Sequence, residues 1–198
     1  MSKKIFIWVA HPKPTSLCSA LADAYEAGAR REGADIRRQA LSDMTFDLSF
    51  DGYKDVYGEK KQEALEPDLM QWQANIQWAD HVMIVHPYWW GSMPAKAKTV
   101  LDKALTPGFA FKYQRKGVKW DKLLVGKTGD AIITSDTPPL LDSVLYRSPG
   151  RRVIKNQVLD FCGIKPKKVV QFGSVKMASE KKIGRWIGKA EKLGKLSA

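Results

Sequence analysis

The sequence predicts an α/β fold: a doubly wound, five-stranded parallel sheet with helices on both faces. Residues 4–10 and 81–86 are near-continuous apolar runs without alternation, as expected of strands buried on both faces of a parallel sheet. Runs of this kind alternate with segments whose apolar residues recur at helical spacing. The chain has 198 residues, 44% of them hydrophobic, enough for one well-buried domain over 1–198 and short for two.

The first strand, residues 4–10, is β-branched and aromatic. In His11-Pro12-Lys13-Pro14-Thr15-Ser16-Leu17, two prolines forbid helix and stiffen the loop. Thr15 or Ser16 then caps a helix in which Leu17, Ala20, Leu21, Ala24 and Gly28 share a face, and Gly33 ends it. Residues 34–41 form a short second strand, where Arg37 and Arg38 mark an edge with one wet face. Between 42 and 67 the composition turns polar, predicting a long irregular connection tucked down by Phe46, Phe50, Tyr53 and Tyr57. A helix over 68–78 buries Leu69, Trp72 and Ile76, and 81–86 is the third strand. A helix over 95–105 has Pro94 near its first turn. A small hairpin pairs 109–113 with part of 119–124 around Lys116-Gly117. Residues 129–134 are the fourth strand of the main sheet. Residues 140–162 are mostly helical, interrupted at Ser148-Pro149-Gly150 and closed by Gly163. The fifth strand covers 169–175, and Ser179 opens a last helix lined by Ile183, Trp186, Ile187, Ala190 and Leu193.

Composition narrows the function classes. No apolar run approaches the ~20 residues that span a bilayer. The apolar start ends at His11-Pro12 rather than at a small-residue cleavage site, so it reads as a strand and not as a signal peptide. Cys18 and Cys162 lie far apart, each at a helix end, which indicates neither a metal site nor a disulfide framework and fits a cytoplasmic protein. Lys and Arg total 33 against 21 Asp and Glu, a net charge of +12. The basic residues are spread along the chain without a nucleic-acid motif, so a solvated basic surface is favoured over nucleic-acid binding; phosphate-bearing cofactors would still be drawn to such a field.

The stretch Pro87-Tyr88-Trp89-Trp90-Gly91-Ser92-Met93-Pro94 stands between the third strand and the next helix, at a strand's carboxyl end, where open α/β sheets bind ligands. Two adjacent indoles can each bury about 150–250 Å², so they require a cover: either a flat ligand ring or core or dimer packing. After the first strand, a polar loop, a hydroxyl cap and a helix amino terminus make an anion site without a glycine fingerprint or P-loop. A second polar loop, Thr134-Ser135-Asp136-Thr137, follows the fourth strand. The topology brings these three loops to one edge of the sheet, and together they describe a flavin mononucleotide pocket.

The loop from His11 to Ser16, the pattern Pro87-x-x-Trp90-x-x-x-Pro94-Ala95-x-x-Lys98 with Asp102, Thr106-Pro107-Gly108-Phe109-Ala110-Phe111, and Phe161-Cys162-Gly163 resemble, in the same order, the flavodoxin-like NAD(P)H:quinone oxidoreductases of the DT-diaphorase group and its bacterial relatives. The resemblance implies a homodimer with flavin, FAD or FMN, at the subunit interface, and two-electron reduction of quinones by NADH or NADPH. Carried over, His11, Thr15, Ser16, Leu17 and Cys18 match the loop around the flavin phosphates. Pro87, Tyr88, Trp89, Trp90 and Gly91 match the stretch that holds the isoalloxazine ring, and Thr134, Ser135, Asp136 and Thr137 the loop on its pyrimidine side. Phe111 and Tyr113 match positions that roof the nicotinamide or quinone from the partner subunit. Asp136-Thr137-Pro138-Pro139 stands where the best-known members carry paired glycines. Their acid/base Tyr and His have no clear counterparts here, Tyr146 being the nearest candidate. The expected chemistry is ping-pong hydride transfer through the flavin. A flavodoxin-type electron carrier and a redox regulatory subunit of a membrane transporter are the alternatives.

Overall fold

The computed structural model describes residues 2–49, 65–114 and 118–198. Phe50, Tyr53, Tyr57 and the Lys116-Gly117 turn therefore lie outside the described residues. Five strands, β1 (Lys4–Val9), β2 (Asp35–Ala40), β3 (His81–Pro87), β6 (Thr128–Thr134) and β7 (Lys165–Phe172), form one sheet in the order β2-β1-β3-β6-β7, with every neighbouring pair parallel. The short strands β4 (Phe111–Tyr113) and β5 (Trp120–Lys122) pair antiparallel as the hairpin expected from sequence. The chain turns one way from β1 to β2 and the other way from β3 onward, so the switch point lies between β1 and β3.

Alternation along the central strands divides the interior into two layers. Phe6, Trp8, Val82 and Ile84 face one side, against α2 (Pro67–Trp78) and α3 (Ala95–Ala104). Ile5, Ile7, Met83 and Val85 face the other, against α1 (Leu17–Arg31). The same side carries the last helix, Glu180–Ser197, through Ala190 and Leu193, with Trp186 stacked on Phe172 at 5.3 Å. Phe46 packs against the first layer as predicted. Among the described residues, no helix is long and apolar enough to cross a membrane.

The buried face of α1 differs from the sequence reading. Leu21 and Gly28 are inside, but Cys18, Ala22, Tyr25 and Ala29 join them in place of Ala20 and Ala24. The helix is rotated because the last helix packs directly along it: a methyl group on Gly28 would stand 2.1 Å from the Glu191 carbonyl oxygen, and one on Gly194 2.0 Å from that of Tyr25. Tyr25 also belongs to a buried polar cluster at the amino ends of the strands. Its hydroxyl donates to Asp130 Oδ2 at 3.1 Å and lies 3.0 Å from His81 Nε2. Asp130 further accepts from Ser197 Oγ at 2.8 Å and the Lys168 N–H at 2.9 Å. These three donors and the adjacent imidazole satisfy a carboxylate that would otherwise be costly to bury.

The fifth strand runs over Lys165–Phe172 rather than 169–175. Its lysine-rich start hid it, yet an edge strand tolerates charge, and Ser174 at φ 58° ends it. The helical stretch read over 140–162 has two parts. Helix α4 (Pro139–Val144) stops before Arg147 and Ser148, both at positive φ (58° and 54°). Helix α5 (Pro149–Arg152) then runs directly into a π-helical segment, Val153–Asp160, and Gly163 at φ 99° closes the run. The helix Glu180–Ser197 becomes α6.

Candidate functional site

Val9 is in register with Val85, and Pro87 with Thr134, so β1, β3 and β6 end side by side. The loops that leave them form one rim, further tied by the Tyr88 N–H donating to the Thr134 carbonyl at 2.7 Å.

Ser16, not Thr15, caps α1: its Oγ accepts the Ser19 N–H at 3.1 Å. Ser19 Oγ in turn donates to the Pro14 carbonyl at 2.6 Å, which folds the proline loop onto the helix. With no acidic residue in the first turn, and the Leu17 and Cys18 N–H groups unpaired among the described residues, this end is open to an anion. Cys18 contributes through its backbone alone. Its thiol is buried 3.4 Å from Thr134 Oγ1, and burial pushes its pKa up to about 11. His11 Nδ1 lies 3.0 Å from the Lys13 backbone nitrogen and 3.2 Å from the Lys13 carbonyl oxygen, a clamp that holds the ring in place in either tautomer. Partial burial lowers its pKa, so the ring is neutral at pH 7. The His11 ring meets Trp89 edge-on at 5.6 Å, joining the first loop to the second.

The second loop is a tight turn. Trp89 and Ser92 exchange backbone hydrogen bonds at 2.8 and 2.9 Å, with Trp90 at φ 49° and Gly91 at φ 79° between them. Two consecutive positive φ values mark a type I′ turn, in which a tryptophan is costly. The Trp90 side chain is fully exposed (105%) and Trp89 46% exposed, so neither indole is absorbed by the core. Among the described residues, packing inside this chain therefore does not account for Trp90, while Trp89 is partly covered by His11. A strained, fully wetted indole beside an open anion site is suited to covering a flat ring that carries a phosphate. A flavin fits the residues present on these grounds.

The third loop is braced from within. Ser135 Oγ donates to the Thr137 carbonyl at 2.9 Å and accepts from Gln171 Nε2 at 3.0 Å. Asp136 Oδ1 accepts the Lys176 N–H at 2.9 Å, using part of its carboxylate on the turn after β7. Thr134 and Ser135 are buried, which leaves Asp136 and Thr137 to face outward.

The predicted roof residues separate. Phe111 is only 6% exposed and packs on Phe161 at 5.0 Å, which makes it a core residue of this chain that braces its neighbour rather than a surface contact. Tyr113, edge-on to Phe111, is 61% exposed and available. Tyr146 is exposed in the segment after α4.

Three further features were missed in the sequence. Gly150 lies against the Tyr88 ring, where a methyl group would stand 2.4 Å from Cε2. Asp142 is buried beside Tyr88, 3.7 Å from Arg151 Nη2. His86 is buried with Nδ1 2.9 Å from the Pro87 carbonyl, and burial lowers its pKa to about 4. The small residue after Pro149 was the one available signal. Partners for Asp142 and His86 could not be read from spacing.

A family model described as the flavodoxin-like fold, Flavodoxin_2, matches residues 3–193. The chain belongs to this family. Within it, the chain is 28% identical over 184 residues to the human ribosyldihydronicotinamide dehydrogenase [quinone], covering 82% of this chain and 78% of that one. It is 28% identical over 174 residues to the FMN-dependent NADH:quinone oxidoreductase of Clostridium beijerinckii, covering 83% and 82%. The chain spans about half the length of the first curated relatives it matches: 45% of a Penicillium crustosum dehydrogenase-like protein, traD, and 54% of the rat ribosyldihydronicotinamide dehydrogenase. Among solved structures, Smu.1420 from Streptococcus mutans superposes with a TM-score of 0.82 at 23% identity, covering 98% of this chain and 99% of that one, a likeness of fold.

Proposed function

We propose that this protein is a flavin-dependent NAD(P)H oxidoreductase that passes two electrons from a nicotinamide nucleotide to quinones or similar acceptors. The observation that carries the reading is the rim itself: an exposed indole held in a strained type I′ turn, and a helix amino end with two N–H groups unpaired among the described residues. The names of the human and Clostridium relatives support it.

The N–H groups of Leu17 and Cys18 hold the phosphate, with the α1 dipole behind them. Trp90 covers the ring, and the N–H groups of Trp90 and Gly91 within the turn supply donors at its edge. Asp136 and Thr137 bound the remaining side, and Tyr113 contributes to the acceptor pocket. Flavin, when bound, supplies the hydride chemistry, and the protein supplies placement and electrostatics. Neutral His11 serves as a hydrogen-bonding group beside the phosphate loop, a role that needs no change of charge. Tyr146 is the side chain proposed for proton handling. Turnover is ping-pong, with donor and acceptor using one face in succession.

We assign the flavin as FMN, following the Clostridium relative, and the assembly as a homodimer. Leu140, Leu141, Val144, Leu145 and Tyr146 are all exposed around α4, a contiguous apolar surface that a second copy would cover. The two buried, free cysteines accord with a cytoplasmic location.

Purified protein should be yellow and oxidise NADH or NADPH with menadione at steady state. Colourless protein that fails to take up FMN would refute the reading, and a yellow protein without turnover would favour the electron carrier. Mass analysis of the flavin released by heat distinguishes FMN from FAD, and light scattering measures the dimer.

A further inference from the structure

We infer that the cleft between the α5 end and the outer edge of β7 binds the 2′-phosphate of NADPH, making this protein NADPH-preferring; the inference rests on the oxidoreductase reading above. The cleft has a volume of about 330 Å³ and is lined by Ser148, Arg151, Arg152, Lys155, Lys167 and Val169, together with Pro166. Four cations line one space, and no carboxylate lines it among the described residues.

Arg151 is fixed in place: Nη2 donates to Ser143 Oγ and Ser148 Oγ, each at 2.5 Å, and Asp142 behind it offsets part of its charge. Its Nε is buried without an acceptor, a donor left over inside the cleft wall. Arg152, Lys155 and Lys167 make no ion pair among the described residues, so the surplus positive charge falls on them. A compact dianion with several acceptor oxygens is the ligand such a set recognises.

Position then selects the source of the phosphate. The cleft begins at Ser148, two residues before Gly150, and Gly150 touches the Tyr88 ring of the flavin rim. From there it descends beside β7. Lys167 lies five residues below Phe172, which is in register with Thr134 at the rim, a drop of about 16 Å at the usual rise per residue. That is the reach of an extended dinucleotide whose nicotinamide lies over the ring at the top. A free phosphate would have no reason to sit at the end of such a path, and NADH would present only a hydroxyl to the four cations.

The test uses the flavin-loaded protein and a triple variant, Arg152→Gln with Lys155→Gln and Lys167→Gln. Adenosine 2′,5′-bisphosphate should bind the parent at least tenfold more tightly than adenosine 5′-monophosphate in titration calorimetry, and the triple variant should lose that advantage. In turnover with menadione, the variant should raise KM for NADPH at least tenfold and move KM for NADH less than twofold. Removing the same charge from α6, by Lys181→Gln, Arg185→Gln and Lys192→Gln, should leave the discrimination intact. Equal binding of the two nucleotides by the parent would overturn the inference. So would a triple variant that keeps the preference, an α6 variant that loses it equally, or binding of inorganic phosphate as tight as that of the bisphosphate. Nucleotide discrimination in a protein without quinone turnover would support the cleft and refute the oxidoreductase reading, whereas turnover indifferent to the 2′-phosphate would do the reverse.

Discussion

In the proposed flavin site Trp90 would couple stability to cofactor retention in opposite directions, and Trp90→Asn tests the trade. The residue sits at φ 49°, where an ordinary side chain costs about 1–2 kcal/mol. Asparagine tolerates that region, and Asn-Gly is the favoured pair for a type I′ turn. Because the indole is fully exposed, its removal from the flavin-free protein forfeits no burial. The variant should gain ~1 kcal/mol, read as a Tm increase of about 2–4 °C for a chain of this size. Stacking of a flat ring on an aromatic side chain is worth ~1–3 kcal/mol. Its loss should weaken FMN binding by roughly 5- to 150-fold. Urea denaturation of flavin-free protein and flavin fluorescence titration measure the two quantities. A variant that is less stable, or that holds FMN as tightly as the parent, would show that the tryptophan serves packing and not the ligand.

Helix packing gives a second contrast. Gly28→Ala should lose at least ~1 kcal/mol in urea denaturation, because a methyl 2.1 Å from a backbone oxygen outweighs the helix-propensity gain of about 1 kcal/mol. Gly188→Ala, with nothing within 4 Å, should gain about that amount. His86 sets a pH dependence: its pKa falls from 6.5 to about 4 on folding, so the stability present above pH 6.5 is lost as pH falls toward 4. That loss is roughly 3 kcal/mol, and His86→Phe should flatten this part of the stability–pH curve. The thiols of Cys18 and Cys162, pushed up to about 11 and about 12 by burial, should resist Ellman's reagent at pH 8 until the protein is unfolded, and then react as two equivalents.

The strands at the centre were legible because β1 and β3 are buried on both faces and announce themselves as near-continuous apolar runs, and β6 through the shorter run Ala131-Ile132-Ile133. The three loops of the rim follow directly, since their position depends only on which strands end together. What escaped depends on tertiary partners. The start of β7 carries lysines that only an edge strand tolerates, and the register of α1 is decided by close contact with α6, over 160 residues away at Gly28 and Glu191. Spacing cannot show that Phe111 turns inward onto Phe161, nor that Asp142 finds Arg151 across a pair of left-handed residues. The π-helical segment at Val153–Asp160 has no sequence signal that separates it from an ordinary helix.

Asp130, anchored at the floor of the sheet by Tyr25, Lys168 and Ser197, stands on the same strand as Thr134, where the rim begins. One buried strand therefore joins a fully hydrogen-bonded carboxylate to the rim of the candidate site. The loop beyond Thr134 starts from a fixed platform, so substitutions from Asp136 to Pro138 would reshape the rim while leaving the Asp130 anchor in place.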